Sequence, residues 1–188
     1  MNNGISMNNF DNNFKFCPKC GWTNIKNCQN RKWKCDCWFE LYNNVATATW
    51  IIIKDNQNNV LFEVREKDPK KWFLSLPWWF VEPDEDLETW AIRECEEEIW
   101  LKITDIKYLC SYPNTYIYNN IEYSTCDIYF LANIWNNLIK NIVENLDFQK
   151  SEVNKVVYHK IETIDDVDNL PIAFESAKYA LKYILNHN

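Results

Sequence analysis

The sequence has 188 residues, a mass of 22.7 kDa and 47% hydrophobic residues, enough to bury the core of one ordinary domain with a small appendage. Its formal net charge of −7 argues against a nucleic acid or an anionic membrane surface as the partner. The polar, asparagine-rich start has neither a basic nor an apolar signal region, so we expect no signal peptide, no membrane span and a cytoplasmic location.

Cysteines mark the beginning of the chain, where residues 1–14 are predicted to be a disordered tail and residues 15–42 a zinc ribbon. Two closely spaced pairs occur, Cys17 with Cys20 and Cys35 with Cys37. Four thiolates predict a tetrahedral Zn²⁺ site with a structural role, because no position is left open for water. The second pair has one intervening residue instead of two. Cys28, which lies between the two pairs, is therefore an alternative ligand. The alternative is a set of unpaired thiols in a reducing cytoplasm.

Residues 43–188 have the pattern of an α/β domain. Apolar and alternating segments bounded by turn residues predict β-strands at residues 45–53, 60–64, 73–76, 80–82, 106–111, 122–134 and 155–160. An apolar stripe at helical spacing predicts an α-helix over residues 173–185. Residues 136–150 have the composition of a polar connection.

Between these strands lies a predicted helix with a dense group of charges, the segment RECEEE. Asp84 or Asp86 can cap its start. Glu94, Glu97 and Glu98 share one face, where like charges repel and weaken a helix unless a counter-ion lies near them. Carboxylates clustered beside a buried face predict a hard divalent cation, Mg²⁺ or Mn²⁺. The alternative is a solvated acidic face.

The spacing of these charges resembles the Nudix box, G-x5-E-x7-R-E-U-x-E-E-x-G-U, in which U is an apolar residue. The positions in register are Glu85, Arg93, Glu94, Glu97, Glu98 and Leu101, with Cys95 as the first U. Trp79 and Trp100 stand where the family has glycine, and Trp78 stands where a second glycine is usual. The resemblance covers residues 45–188. It implies the Nudix fold, an α/β/α sandwich with a mixed β-sheet between helices, here preceded by the zinc ribbon.

The resemblance also implies a hydrolase that cleaves a nucleoside diphosphate linked to another moiety, by attack of water on phosphorus. The implied Mg²⁺ or Mn²⁺ ligands are Glu94, Glu97, Glu98 and the backbone carbonyl of Trp78. Arg93 would orient the glutamates together with Glu85. No membrane and no specific nucleic acid is expected as a partner, and a homodimer is compatible with the resemblance.

Residues outside the box bear on the substrate and the general base. Glu152 is a candidate base, with a surface glutamate as the alternative, and Glu82 is a candidate ligand or substrate contact. Ser111, Pro113 and Tyr116 match part of the S-Q-P-W-P-F-P-x-S signature of zinc-ribbon NADH pyrophosphatases. Tyr116 could stack on a base. ADP-ribose, a dinucleotide such as NADH and a modified nucleoside triphosphate stay open as substrates.

A second hypothesis is a non-catalytic module that senses nucleotides and carries a zinc ribbon. Non-catalytic relatives usually lose the box glutamates, whereas this chain keeps all of them. The sequence therefore favours an enzyme.

The chain has 10 tryptophans and 2 glycines, although glycine averages about 7% of residues in proteins. Five tryptophans occupy positions at which glycine is expected, namely Trp38, Trp72, Trp78, Trp79 and Trp100. We hypothesise that an opal codon read as glycine in the cell is written here as tryptophan. The alternative is a real aromatic platform that stacks bases or sugars.

Overall fold

The computed structural model of the chain describes residues 14–29, 31–118, 121–134, 139–145 and 155–187. The chain divides into two compact units, Met1–Val45 and Ala46–Asn188. Residues 1–13 of the predicted tail, and the candidate base Glu152, lie outside the described residues.

The first unit contains a small antiparallel sheet. Its strands are β1 (Ile25–Cys28), β2 (Lys32–Cys35) and β3 (Glu40–Tyr42), in the order β1-β2-β3. The buried core consists of Cys17, Ile25, Trp33 and Cys35. A core of this size is too small to stabilise a fold by apolar burial alone, so a cross-link or a metal ion is expected to hold it.

The second unit is built on a mixed sheet with seven strands in the described part of the chain. They are β4 (Ala46–Asp55), β5 (Asn59–Val64), β6 (Leu74–Ser75), β7 (Trp78–Phe80), β8 (Lys107–Tyr118), β9 (Ile121–Ile134) and β10 (Lys155–Lys160). The main order is β10-β5-β4-β9-β8, with β6 beside β5 and β7 beside β4. Strands β4 and β9 run parallel and their neighbours pair antiparallel. The predicted mixed sheet is confirmed.

Helices cover both faces of this sheet. They are α1 (Leu87–Ile99), α2 (Ile139–Asn145), α3 (Ile164–Asn169) and α4 (Glu175–His187). Because successive side chains of a strand point to opposite faces, Trp50 and Ile52 of β4 pack with α3 and α4, whereas Ile51 and Ile53 pack with α1 and α2. The α/β/α sandwich is therefore confirmed. None of the described helices is long and apolar enough to cross a membrane.

The prediction of a polar connection over residues 136–150 is wrong where α2 forms. Ile139 is fully buried, and its backbone N–H donates to Asp55 Oδ2 at 3.1 Å. Asp55 also closes the β4–β5 turn by accepting from the backbone N–H groups of Gln57 and Asn59. A helix of 7 residues is too short to be stable alone. Its tertiary contacts stabilise it, and the local sequence does not show them.

Three of the tryptophans at expected glycine positions have left-handed backbones. The φ angle is 68° at Trp38, 70° at Trp72 and 55° at Trp100. Bulky residues rarely adopt this conformation, whereas glycine does so readily. Trp78 and Trp79 lie in the extended strand β7 instead.

Candidate active site

Helix α1 carries the predicted metal-binding carboxylates. Asp86 caps its start, because Asp86 Oδ1 accepts a hydrogen bond from the Thr89 backbone N–H at 2.8 Å. The helix ends at Trp100, whose backbone N–H donates to the Cys95 carbonyl. Its buried side is formed by Trp90, Ala91, Cys95 and Ile99. Of the acidic residues of α1, Glu88, Glu96 and Glu97 are therefore exposed, whereas Glu94 and Glu98 are partly buried.

Arg93 connects the box carboxylates to one another. Its Nη2 lies 3.0 Å from Glu85 Oε2, and its Nη1 lies 2.9 Å from both Glu94 Oε1 and Glu97 Oε2. The guanidinium carbon also sits 4.4 Å from the centroid of the Trp90 ring. The pKa of Arg93 is raised above its ordinary value, mainly by its hydrogen bond with Glu85 and further by that with Glu97. One permanent positive charge thus brings together four of the predicted site residues, counting Arg93 itself.

Negative charge exceeds positive charge among the box residues, since there are four glutamates and one arginine, which contacts three of them. Burial raises the pKa of Glu94, and the carboxylates of Glu97 and Glu82 add to this rise while Arg93 opposes it. Carboxylate oxygens are the donors that Mg²⁺ prefers. The donor set and its excess charge therefore fit a hard divalent cation.

Glu98 lines a cleft of about 290 Å³ together with residues of β5, β6 and β7. Trp78, the predicted carbonyl ligand, and Ser75 line the same cleft. So does Glu63 of β5, whose Oε1 is buried and accepts no hydrogen bond from the described residues. Burial, and then the charge of Glu98, raise the pKa of Glu63 to about 8. The spacing of charges along the sequence did not indicate Glu63. The available signal was a single glutamate in the otherwise apolar strand core VLFEV.

An aromatic cleft of about 560 Å³ adjoins the acidic one. Trp78 and Tyr116 line both clefts, and their ring centroids are 5.3 Å apart. The residues around the aromatic cleft are Ala46, Thr47, Trp78, Phe80, Val81, Tyr116 and Tyr123. The structure therefore places Tyr116, a predicted substrate contact, where carboxylates and aromatic rings meet.

The remaining predicted substrate residues are more scattered. Glu82 is exposed just after β7, close enough to Glu94 to affect the pKa of that carboxyl. Ser111 and Pro113 are exposed residues of the long strand β8. The partial signature that contains them thus forms a strand.

The four predicted zinc ligands converge. The Sγ atoms of Cys17, Cys20, Cys35 and Cys37 all lie within 4.8 Å of one another. Two of the separations, between residues 17 and 37 and between residues 20 and 35, are 3.7 Å. Four thiolates at about 2.3 Å from Zn²⁺ in a tetrahedron would be about 3.8 Å apart. The cluster therefore fits Zn²⁺. Cys28, the open alternative, is not part of it.

A family model and several solved structures match most of this chain. The family model described as the NUDIX domain matches residues 44–181. The NUDIX domain of Shewanella oneidensis NrtR complexed with ADP ribose has a TM-score of 0.59 and 18% identity, covering 78% of this chain and 90% of that chain. A NUDIX hydrolase from Nitrosomonas europaea has a TM-score of 0.60 and 23% identity, covering 92% of this chain and 91% of that chain.

A binary complex of the C. elegans Ap4A hydrolase has a TM-score of 0.57 and 18% identity, covering 76% of this chain and 97% of that chain. Identities this low show a shared fold. A search of the curated proteins found no match.

Proposed function

The chain belongs to the Nudix family of pyrophosphohydrolases, and on that basis we propose that it hydrolyses a nucleoside diphosphate linked to another moiety, with Mg²⁺ or Mn²⁺ as cofactor. The observation that carries the proposal is the contact of Arg93 with Glu85, Glu94 and Glu97, beside a cleft lined by Glu98. An acidic cleft next to an aromatic one suits a substrate with a diphosphate at one end and a base at the other.

Some residues of the box would bind the cation, and others orient the residues that bind it. Glu94, Glu97 and Glu98 would hold the cation, with the Trp78 carbonyl as a backbone ligand. When bound, the cation neutralises the diphosphate, polarises the P–O bond and lowers the pKa of the attacking water. Arg93 fixes the carboxylates of Glu94 and Glu97 by its Nη1 contacts, and Glu85 holds the guanidinium from its other side.

In the proposed reaction, water attacks phosphorus, the bridging phosphoanhydride P–O bond breaks, and the proton of the water passes to a base. Glu152 stays the candidate base, although it lies outside the described residues.

The aromatic cleft supports a nucleotide derivative as the substrate. The rings of Tyr116 and Phe80 are surfaces on which a base can stack, and Glu82 is a further candidate contact. The similar structures include a NUDIX domain complexed with ADP ribose and an Ap4A hydrolase. ADP-ribose, a dinucleotide such as NADH and a modified nucleoside triphosphate are accordingly the substrates to test. The Cys17, Cys20, Cys35 and Cys37 cluster would hold a structural Zn²⁺.

The test incubates the protein with ADP-ribose, NADH, Ap4A or an oxidised nucleoside triphosphate and measures the hydrolysis products formed with and without Mg²⁺. Glu97→Gln is expected to lower kcat at least about 100-fold, because it removes a carboxylate from the cation site. Glu96→Gln is the matched control, since Glu96 is an exposed residue of the same helix outside the box positions.

Two results would contradict the proposal. Near-normal turnover by Glu97→Gln, with the fold checked by circular dichroism, removes the metal assignment. Tight nucleotide binding without product release from the unmodified protein favours the nucleotide-sensing module instead.

A further inference from the structure

Glu63 lies on the side of the sheet that faces α1. Side chains alternate along β5, where Leu61 belongs to the core cluster with α1 and Phe62 to the cluster with α4. Glu63 therefore shares the side of Leu61. Its backbone is paired with Ser75 of β6 on one side and with Val156 of β10 on the other. The position of this glutamate is thus fixed by strands on both sides.

One carboxyl oxygen of Glu63, Oε1, is buried and accepts no hydrogen bond within the described residues. Arg65 lines the same cleft, and its charge partly opposes the rise in the pKa of Glu63. Its Nε, however, donates to the Pro69 carbonyl at 3.0 Å, and its guanidinium lies over the Phe174 ring. Burying an ionised carboxylate with an oxygen that accepts no hydrogen bond is unfavourable. The site therefore favours a proton or a cation on Glu63.

Glu98 of α1 lines the same cleft as Glu63. Two carboxylates that share a small site repel each other when both are ionised. A divalent cation between them would remove this repulsion and satisfy both oxygens at once, and carboxylate oxygens suit Mg²⁺ and Mn²⁺.

We propose that Glu63 is an additional ligand of the divalent cation, which the carboxylates of Glu63 and Glu98 hold between them across this cleft. The inference rests on the proposed function, because Glu98 is one of the metal-binding glutamates there. Glu63 lies outside the Nudix box. Its participation would give the cation a ligand from strand β5 as well as ligands from α1.

The experiment measures Mn²⁺ binding to the full chain without nucleotide, by electron paramagnetic resonance. Glu63→Gln is expected to raise the Mn²⁺ Kd at least about tenfold, a size typical of losing a residue that supports a metal site. The matched control Glu96→Gln should bind Mn²⁺ like the unmodified protein. Wild-type Mn²⁺ affinity in Glu63→Gln would overturn the proposal.

Thermal unfolding separates a lost ligand from a damaged fold. Without added Mn²⁺, Glu63→Gln is expected to melt at or above the Tm of the unmodified protein, because the buried carboxyl is gone. Added Mn²⁺ should raise the Tm of the unmodified protein more than that of the variant. An equal Mn²⁺-induced shift in both proteins would count against the proposal. If Glu63→Gln is unfolded without added Mn²⁺, Glu63→Asp keeps the charge, shortens its reach and should still lose Mn²⁺ affinity.

Hydrolysis assays keep the two proposals distinct. If the unmodified protein binds Mn²⁺ through Glu63 but hydrolyses none of the nucleotides, the proposed function fails and this inference stands. If it hydrolyses a nucleotide while Glu63→Gln keeps its Mn²⁺ affinity, this inference fails and the proposed function stands.

Discussion

Among the individual residues, the tryptophans conflict most clearly with their surroundings. Trp38, Trp72 and Trp100 hold left-handed backbones, a conformation that is costly for any residue with a Cβ atom. A second group has buried indole N–H groups that find no acceptor among the described residues, namely Trp50, Trp79 and Trp90. Buried indoles usually have a partner. The left-handed backbones and the unpaired indole N–H of Trp79 support the hypothesis that glycine belongs at the five positions named above, which stays a prediction.

The backbone argument is testable at the end of α1. Trp100→Gly should raise the free energy of unfolding by about 1 kcal/mol, because glycine adopts the left-handed conformation without a steric penalty. Trp100→Ala is the matched control, since it removes the exposed indole but keeps the Cβ. Chemical denaturation measures both variants. Equal stability of the glycine and alanine variants would show that the backbone strain is not the cause.

The translation hypothesis has its own test. If it is correct, the codons at positions 38, 72, 78, 79 and 100 are opal codons, and protein isolated from its natural cell has the smaller mass of a chain with glycine there. TGG codons at these positions would refute it.

Of the structural elements, the three-stranded first unit depends most on a single site. Two of the four residues in its buried core, Cys17 and Cys35, are themselves members of the thiolate cluster. Because ligand binding and folding are coupled in such small units, Zn²⁺ would contribute most of the stabilisation.

We therefore expect one Zn²⁺ per chain, measured by elemental analysis, and loss of that ion in Cys20→Ser. Cys28→Ser should keep it, because Cys28 lies outside the cluster. Chelation should unfold the first unit, as followed by nuclear magnetic resonance of residues in β1 to β3. Loss of zinc from Cys28→Ser, or its retention in Cys20→Ser, would contradict the ligand set.

Across the α/β unit as a whole, a buried polar network joins the sheet to the helix layer of α4. Asp127 of β9 is 1% exposed. Its Oδ2 accepts hydrogen bonds from Ser176 Oγ at 2.7 Å and Asn114 Nδ2 at 2.9 Å, while Thr125 Oγ1 donates to its Oδ1 at 2.7 Å. The Tyr129 hydroxyl and Ser176 Oγ are 2.9 Å apart. Three donors thus solvate a carboxylate that has no access to water.

Ser176→Ala should lower the free energy of unfolding by about 2 kcal/mol, because a buried charged acceptor loses a donor. The control Ser124→Ala removes an exposed hydroxyl of the same strand β9 as Asp127 and should change stability by less than about 0.5 kcal/mol. Denaturant unfolding distinguishes the two. A loss of similar size in both variants would mean that the network does not connect the sheet to α4.

The sequence by itself determined what depends on spacing along the chain. The carboxylates of the box, the two cysteine pairs and most strands follow from fixed offsets and local periodicity, which residues close in sequence specify. The contacts of Arg93 could be predicted because Arg93, Glu94 and Glu97 lie on one helix, with Glu85 just before it.

Tertiary structure decided the features that depend on distant residues. It placed Glu63 of β5 in the same cleft as Glu98 of α1, formed α2 through the contact of Ile139 with Asp55, and left Cys28 outside the thiolate cluster. Each result depends on which surfaces come together when strands and helices pack. Neither the spacing nor the composition of one segment contains that information, since the energy that fixes it comes from partners elsewhere in the chain.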